Sequence, residues 1–225
     1  MTVDPGPILL TLKLAAATTA ALLVVGAPLA WWLATTRSPL KPFVEALTAL
    51  PLVLPPTVIG FYMLLMMSPD APLGAFWVKA TGDTLAFSFA GLVVASVVYS
   101  LPFMVQPLQS AFEGVGEGAM EAAASLRAPP LDAFFSVAVP LSARGFLTGS
   151  ILAFAHTVGE FGVVLMVGGN IPERTKVISI AVYEHVETLR YDEAHALSAL
   201  LLAFSFAVLF VVYAVGRRHR VRAGG

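Results

Sequence analysis

Five stretches of this chain, 8–36, 43–67, 84–109, 141–167 and 196–216, are almost free of charge. Each is long enough to cross a bilayer as a helix, which takes about 20 apolar residues. In lipid every backbone N–H and C=O must be satisfied within the protein, so such stretches form helices rather than open sheets. Composition agrees, with 58% hydrophobic and only 12% charged residues in 225, against about 25% charged in soluble domains. The expected fold is therefore an all-α integral membrane domain of five transmembrane helices, spanning 1–225 as one unit. A net charge of −1 without a basic, aromatic-interleaved patch excludes a nucleic-acid partner, and zero cysteines exclude disulfides and thiolate chemistry. Ala27-Pro28-Leu29-Ala30 resembles a signal-cleavage site, but the apolar run is too long and Asp4 stands where a signal carries positive charge, so the first helix is read as retained.

The spans differ in what interrupts them. Trp31 and Trp32 close the first as interfacial residues. The second holds LPLVLPPTVIG at 50–60, and prolines within a span remove backbone donors and kink it. Non-ideal backbone at membrane depth is tolerated where it is buried in protein or lines a wet cavity. Pro51, Pro55, Pro56 and Thr57 are thus candidate pathway or gate residues, with a kinked packing helix as the alternative. Residues 68–83 read as a loop with Phe76-Trp77 as an interface anchor, and Ser100-Leu101-Pro102 kinks the third span. The fourth carries His156 and Glu160, four apart and so on one helix face. Ionisable groups inside a membrane are functional candidates. Two ligands without a third do not make a metal site. The expectation is that Glu160 pairs with His156 or accepts hydrogen bonds from the following loop, closing the external end of a pathway, or that the two are purely structural. In 168–195, Ile178, Ala181, Val182, His185, Val186 and Leu189 recur at helical spacing, predicting an amphipathic helix on the membrane surface.

Between spans three and four lies a polar, proline-interrupted elbow, 117–140. Good helix formers predict a helix over 117–127, ended at Ala128-Pro129-Pro130 because a residue before proline avoids the α region. A second short helix starts at Leu131. Glu121-Ala122-Ala123, three residues, Arg127, nine residues, then Val137, Val139 and Pro140 reproduce a known spacing. It resembles the EAA motif of ABC-importer permeases: Glu-Ala-Ala, three residues, Gly, nine residues, aliphatic, any, Leu, Pro. Val139 replaces the Leu, and Arg127 stands where the family has Gly, which usually permits a turn with positive φ; Pro129-Pro130 could supply the break instead. The resemblance implies a cytoplasmic coupling helix docking into an ATP-binding subunit, with Glu121, Ala122, Ala123, Leu126 and Arg127 as coupling residues, in the type I ABC importer permease fold.

Charge placement gives the orientation. Arg37, Lys41, Arg127, Arg144, Arg217, Arg218, Arg220 and Arg222 lie on the elbow side, against Lys13, Lys79, Arg174, Lys176 and Arg190 on the other. The positive-inside rule puts the elbow and C-terminus in the cytoplasm and the N-terminus outside. The chain has no phosphate-binding loop, so ATP and Mg belong to a partner and no cofactor or catalytic residue is expected here. The spans also lack the coupling carboxylates of a secondary transporter. Over nearly its whole length the chain resembles the permease subunits of molybdate ABC importers, in LPLVLPPTVIGFYMLL, YSLPFMVQPLQSAFE and HTVGEFGVVLMVGGNIPERTKVISIAVYEHVE. That resemblance implies a multi-pass protein of the cytoplasmic (inner) membrane, embedded in lipid. It implies two copies of this chain, two ATP-binding cassette subunits and an extracytoplasmic oxyanion-binding protein, carrying molybdate or tungstate. Sulfate or thiosulfate permeases share the Gly-Glu-Phe-Gly stretch and remain an alternative, with a passive channel as a third.

Overall fold

A computed structural model describes residues 4–220, and every regular element among them is helical. Arg222 lies outside the described residues, as do the side chains of Arg217, Arg218 and Arg220. Helix α1 (Pro5–Thr35) starts where the Asp4 carboxylate accepts from Gly6 N at 2.9 Å. Helix α2 (Lys41–Ala49) runs into a short 3-10 turn, Leu50–Leu52, and α3 (Pro56–Met67) follows after a break. The two limbs are bent by 109°, so the second apolar stretch is a sharp elbow or re-entrant pair rather than a kinked rod. Its cause is local: Pro55 and Pro56 in succession force Pro55 to ψ 137°, and Pro56 becomes the first residue of the new helix.

The expected loop at 68–83 contains a helix, α4 (Pro72–Thr81), opened by its proline and closed by Gly82 in the left-handed region at φ 77°. The third span, α5 (Phe89–Glu113), starts later than Thr84, because Ser88 Oγ caps it by accepting from Gly91 N at 3.1 Å. Pro102 and Pro107 lie within this helix without ending it. The elbow comprises α6 (Gly116–Ser125), α7 (Pro130–Ala133), a π-helical stretch (Phe134–Ala138) and α8 (Val139–Leu141). It turns by 72° into α9 (Ala143–Gly159), and the fourth apolar stretch then breaks before α10 (Gly162–Gly168). Helix α11 (Ile178–Glu187) buries Ile178, Ile180 and Ala181, while Val186 and Leu189 are exposed. It is therefore packed into the bundle through one edge, not laid on the surface along the whole expected stripe. Helix α12 (Tyr191–Arg220) is the last element among the described residues.

Helices α1, α5 and α9 form the central bundle, around Leu22, Leu33, Met104, Val105, Leu108 and Phe112. Lipid offers no hydrophobic drive for helix association, so close backbone approach and van der Waals contact must hold it. The sequence supplies small residues where that happens: a Cβ on Gly145 would meet Ala111 Cβ at 2.4 Å, and one on Gly149 would meet Met104 O at 3.1 Å. A second body, α3 with α10, packs around Ile59, Met63, Met67, Val163 and Val167 against the first half of α5. Three helices are individually long and apolar enough to span a membrane, or five if each bent pair counts as one span.

Candidate functional site

The elbow is built from its backbone outward. Arg127 N donates to Ala124 O at 2.8 Å and Ala128 N to Ala123 O at 3.1 Å, the paired bonds that close a helix through a left-handed residue. That residue is Arg127, at φ 58°. It adopts the conformation the family assigns to Gly, so the break precedes Pro129-Pro130 instead of depending on them. Ala123 is buried, and its carbonyl closes the turn. Glu121, Ala122 and Arg127 are exposed, and Leu126 and Leu131 are 84% and 74% exposed. Two leucines this bare beside a carboxylate and a guanidinium make an amphipathic knuckle at the end of the bundle.

Aromatic rings join the knuckle to the spans. Phe134 packs edge-on against Trp31 at 5.3 Å, Trp31 meets Phe112 at 5.1 Å, and Phe112 meets Phe146 at 5.7 Å. Trp31 ties α1 to the elbow. Nearby, Gln109 Nε2 donates to Glu45 Oε1 at 2.9 Å, and Lys41 lies 3.8 Å from both Glu45 and Glu113. The rings form one chain of contacts from the elbow to α1, α5 and α9, and α2 sits against the same end of α5.

At the other candidate region the two interrupted spans meet. A Cβ on Gly162 would lie 2.7 Å from Pro56 Cβ, and one on Gly60 would lie 2.7 Å from Met166 Cβ. The break of the second span thus abuts the break of the fourth, and α3 and α10 lie in near-backbone contact. Pro51 is buried, while Pro55 and Thr57 are exposed beside the break.

The expected His156–Glu160 pair does not form. Helix α9 ends at Gly159 and Glu160 turns extended, with ψ 134°, so the four-residue spacing no longer puts both on one helix face. His156 Nδ1 instead lies 2.9 Å from Ser100 Oγ, which is 3.1 Å from Thr157 Oγ1, and the imidazole stacks on Phe103 with centroids 3.9 Å apart. The Glu160 carbonyl accepts from Ser179 Oγ at 2.5 Å, but its buried carboxylate accepts from nothing in the following loop. Ser100, and Tyr99 with its ring 5.0 Å from the imidazole, are the α5 neighbours of His156 that the sequence alone did not single out.

On the remaining loop, Asn170 Nδ2 donates to Glu184, and Lys176 Nζ lies 2.7 Å from the same carboxylate. These two partners, the Asn170 bond first, hold the Glu184 carboxyl below its ordinary value. No group of three or more His, Cys, Asp or Glu residues that could hold a metal occurs among the described residues.

The geometry is that of apolar helices with two abutting interruptions and an amphipathic elbow at one end. Residues 23–222 match the family described as binding-protein-dependent transport system inner membrane component. The chain belongs to that family. It is 58% identical over 214 residues, 95% of each chain, to the molybdenum transport system permease protein ModB of Azotobacter vinelandii. It is 34% identical over 218 residues, 96% of this chain and 95% of the other, to the ModB protein of Escherichia coli K12. The sulfate transport system permease protein CysT of Synechocystis is 35% identical over 199 residues, 87% of this chain and 69% of that one. Its fold matches a chain of the inward-facing MetNI methionine ABC transporter with a TM-score of 0.72, at 17% identity and 94% coverage of each. A chain of a bacterial ABC transporter that imports alginate matches at 0.68, with 16% identity and coverage of 94% and 79%.

Proposed function

We propose that this chain is the permease subunit of an ATP-driven importer that carries molybdate, and tungstate as a near-identical dianion, across the cytoplasmic membrane. The observation that carries the coupling half is the elbow, whose bare Leu126 and Leu131 flank Arg127 and an exposed Glu121. Exposed apolar side chains rimmed by charge mark protein–protein contact sites, and a separate ATP-binding subunit is the partner that supplies work. The substrate half rests on 58% identity over 95% of the chain to a molybdenum permease, against about a third to the sulfate permease.

Two copies of the chain form the pathway, with five spans each, the elbow and C-terminus in the cytoplasm and the N-terminus outside. Arg37, Lys41, Arg127 and Arg144 at the elbow end support that orientation. An external binding protein selects the anion, since the spans offer no arginine cluster to hold it. ATP-driven closure of the partner draws the two elbows together. The Trp31–Phe112–Phe134 contact carries that motion to the central bundle, while α3 and α10 move as one body on the breaks at Pro55 and Glu160. This is a shift between two packings, driven by the partner's preference for one of them.

The test is reconstitution with the ATP-binding and binding-protein subunits, followed by ATP-dependent uptake of radiolabelled molybdate. Competition by tungstate but not by sulfate is the expected result. Competition by sulfate alone would move the substrate to sulfate, and flux without the ATPase would make the chain a channel.

A further inference from the structure

At the end of the bundle away from the elbow, the N-termini of α1 and α12 meet α11 around a cavity of about 560 Å³. Part of its wall is apolar, with the buried Ala181 and Leu197. The rest is ionisable: Asp4, Lys176, Glu184, His185, Arg190 and Glu193.

These charges are not equivalent. Lys176 Nζ lies 2.7 Å from Glu184 Oε2, and Arg190 Nη2 lies 3.6 Å from Glu184 Oε1, so both cations are directed at one carboxylate. Arg190 Nε is also 3.6 Å from Glu193. Asp4 accepts from Gly6 N and lies in no ion pair among the described residues. Three carboxylates thus face two permanent cations, which leaves the cavity one negative charge when His185 is neutral. His185 Nδ1 is buried without a hydrogen-bond partner, 3.9 Å from Glu193 Oε2. A buried ring nitrogen of this kind is normally paired, and as a neutral acceptor it takes an N–H donor. An occupant with an aliphatic stem, a positive tip and several N–H donors matches the apolar wall, the charge and the imidazole together. An arginine or lysine side chain has that form. A divalent ion does not fit, since no three His, Cys, Asp or Glu among the described residues could hold one.

The surroundings have the same sign. Residues 1–13, 68–83 and 168–195, which flank or join the spans at this end, carry eight Asp and Glu against five Lys and Arg. Such a surface gathers a partner of opposite charge and holds off a like-charged one. A free dianion is therefore repelled from this end, whereas a protein that encloses the dianion and presents a basic side chain is attracted to it.

We propose that this cavity is a docking socket for the extracytoplasmic binding protein, which seats one arginine or lysine side chain between Asp4 and Glu193. This rests on the reading of the chain as a binding-protein-dependent permease with this end outside.

The test titrates the binding protein of the same transport system, loaded with molybdate, against the complete permease–ATPase complex. Binding is measured in nanodiscs without ATP, and ATP-driven uptake in proteoliposomes. Asp4→Asn keeps a helix-capping side chain, and Glu193→Gln keeps the shape of the wall. Each should raise the Kd about two- to fivefold, as for one exposed charge pair, and Glu193→Lys should raise it further. The maximal uptake rate at saturating binding protein should stay at the wild-type value. Binding should weaken with added salt less steeply in the neutral variants than in the wild type, because one screened attraction is gone. A Kd that is unchanged or lowered in the neutral variants, or that rises with the wild-type salt dependence intact, overturns the socket. A wild-type complex that does not bind the loaded protein, or that takes up molybdate without it, would instead overturn the transport reading beneath the proposal.

Discussion

Gly60→Ala probes the joint between the two broken spans. The new Cβ would sit 2.7 Å from Met166 Cβ, 3.0 Å from Met166 Cγ and 3.3 Å from the Val163 Cα. Carbon atoms pack at about 3.5–4.0 Å, so the helices must part by about 1 Å. Met166 can swing its Cγ, but its Cβ and the Val163 backbone move only with α10. Overpacking of this kind costs about 1–3 kcal/mol, and the backbone contact places Gly60→Ala in the upper half of that range. For a chain of this size, about 2 kcal/mol lowers the midpoint of thermal unfolding by about 4–8 °C. The assay is thermal unfolding of the purified complex together with the number of ATP molecules hydrolysed per molybdate taken up. A lower midpoint and a higher ATP cost are expected, because α3 and α10 no longer move as one. Gly118→Ala is the control for the unfolding readout alone: no packed atom lies within 4 Å of its Cβ, and alanine is the better helix former by about 1 kcal/mol. If Gly60→Ala unfolds and couples like the wild type, α3 and α10 are not a joined body.

Three further outcomes are expected. Glu121→Lys should insert normally, because the residue is exposed on the elbow, yet lose molybdate-stimulated ATP hydrolysis; normal transport by it would remove the elbow from coupling. Pro55→Ala with Pro56→Ala lets the helix continue through the 109° bend, and should change uptake more than complex yield in a side-by-side reconstitution. Glu184 is held below its ordinary value by Asn170 and Lys176, so its contribution to loop order is present above the ordinary carboxylate range and is lost as pH falls through and below it. Limited proteolysis of 168–177 should accelerate on acidification in the wild type and lose that dependence in Glu184→Gln.

Much of this architecture is legible in residue order because it depends on local chemistry. Consecutive prolines at 55 and 56 announce a break wherever they stand, and the elbow is bounded by proline and helix-forming runs. The features that escaped depend on contacts far away in the chain. The apolar run 141–167 has no proline after Pro140, so periodicity alone extends a helix through Glu160. What ends it is the Ser179 hydroxyl on the Glu160 carbonyl and the seat of Gly162 on Pro56. Residues 68–83 read as a loop in sequence, with Pro72 and Gly82 inside it. In the fold they are the first helical residue and the left-handed cap of α4. Arg127 shows the converse: the position needs positive φ, and the helix closes through it although the side chain is not glycine. The candidate coupling residues are likewise split by geometry, with Ala123 inside and Glu121, Ala122, Leu126 and Arg127 outside.

The claim that a separate ATPase drives this chain through the elbow has a direct test, because the chain contains no cysteine. Leu126→Cys introduces one thiol at a position that is 84% exposed. With the ATP-binding subunits present, a short bifunctional reagent joining that thiol to a nearby ATPase lysine should give one crosslinked species. Its yield should change when ATP is added, and the crosslinked complex should stop taking up molybdate. Crosslinking that is absent, or that leaves uptake intact, would contradict the account.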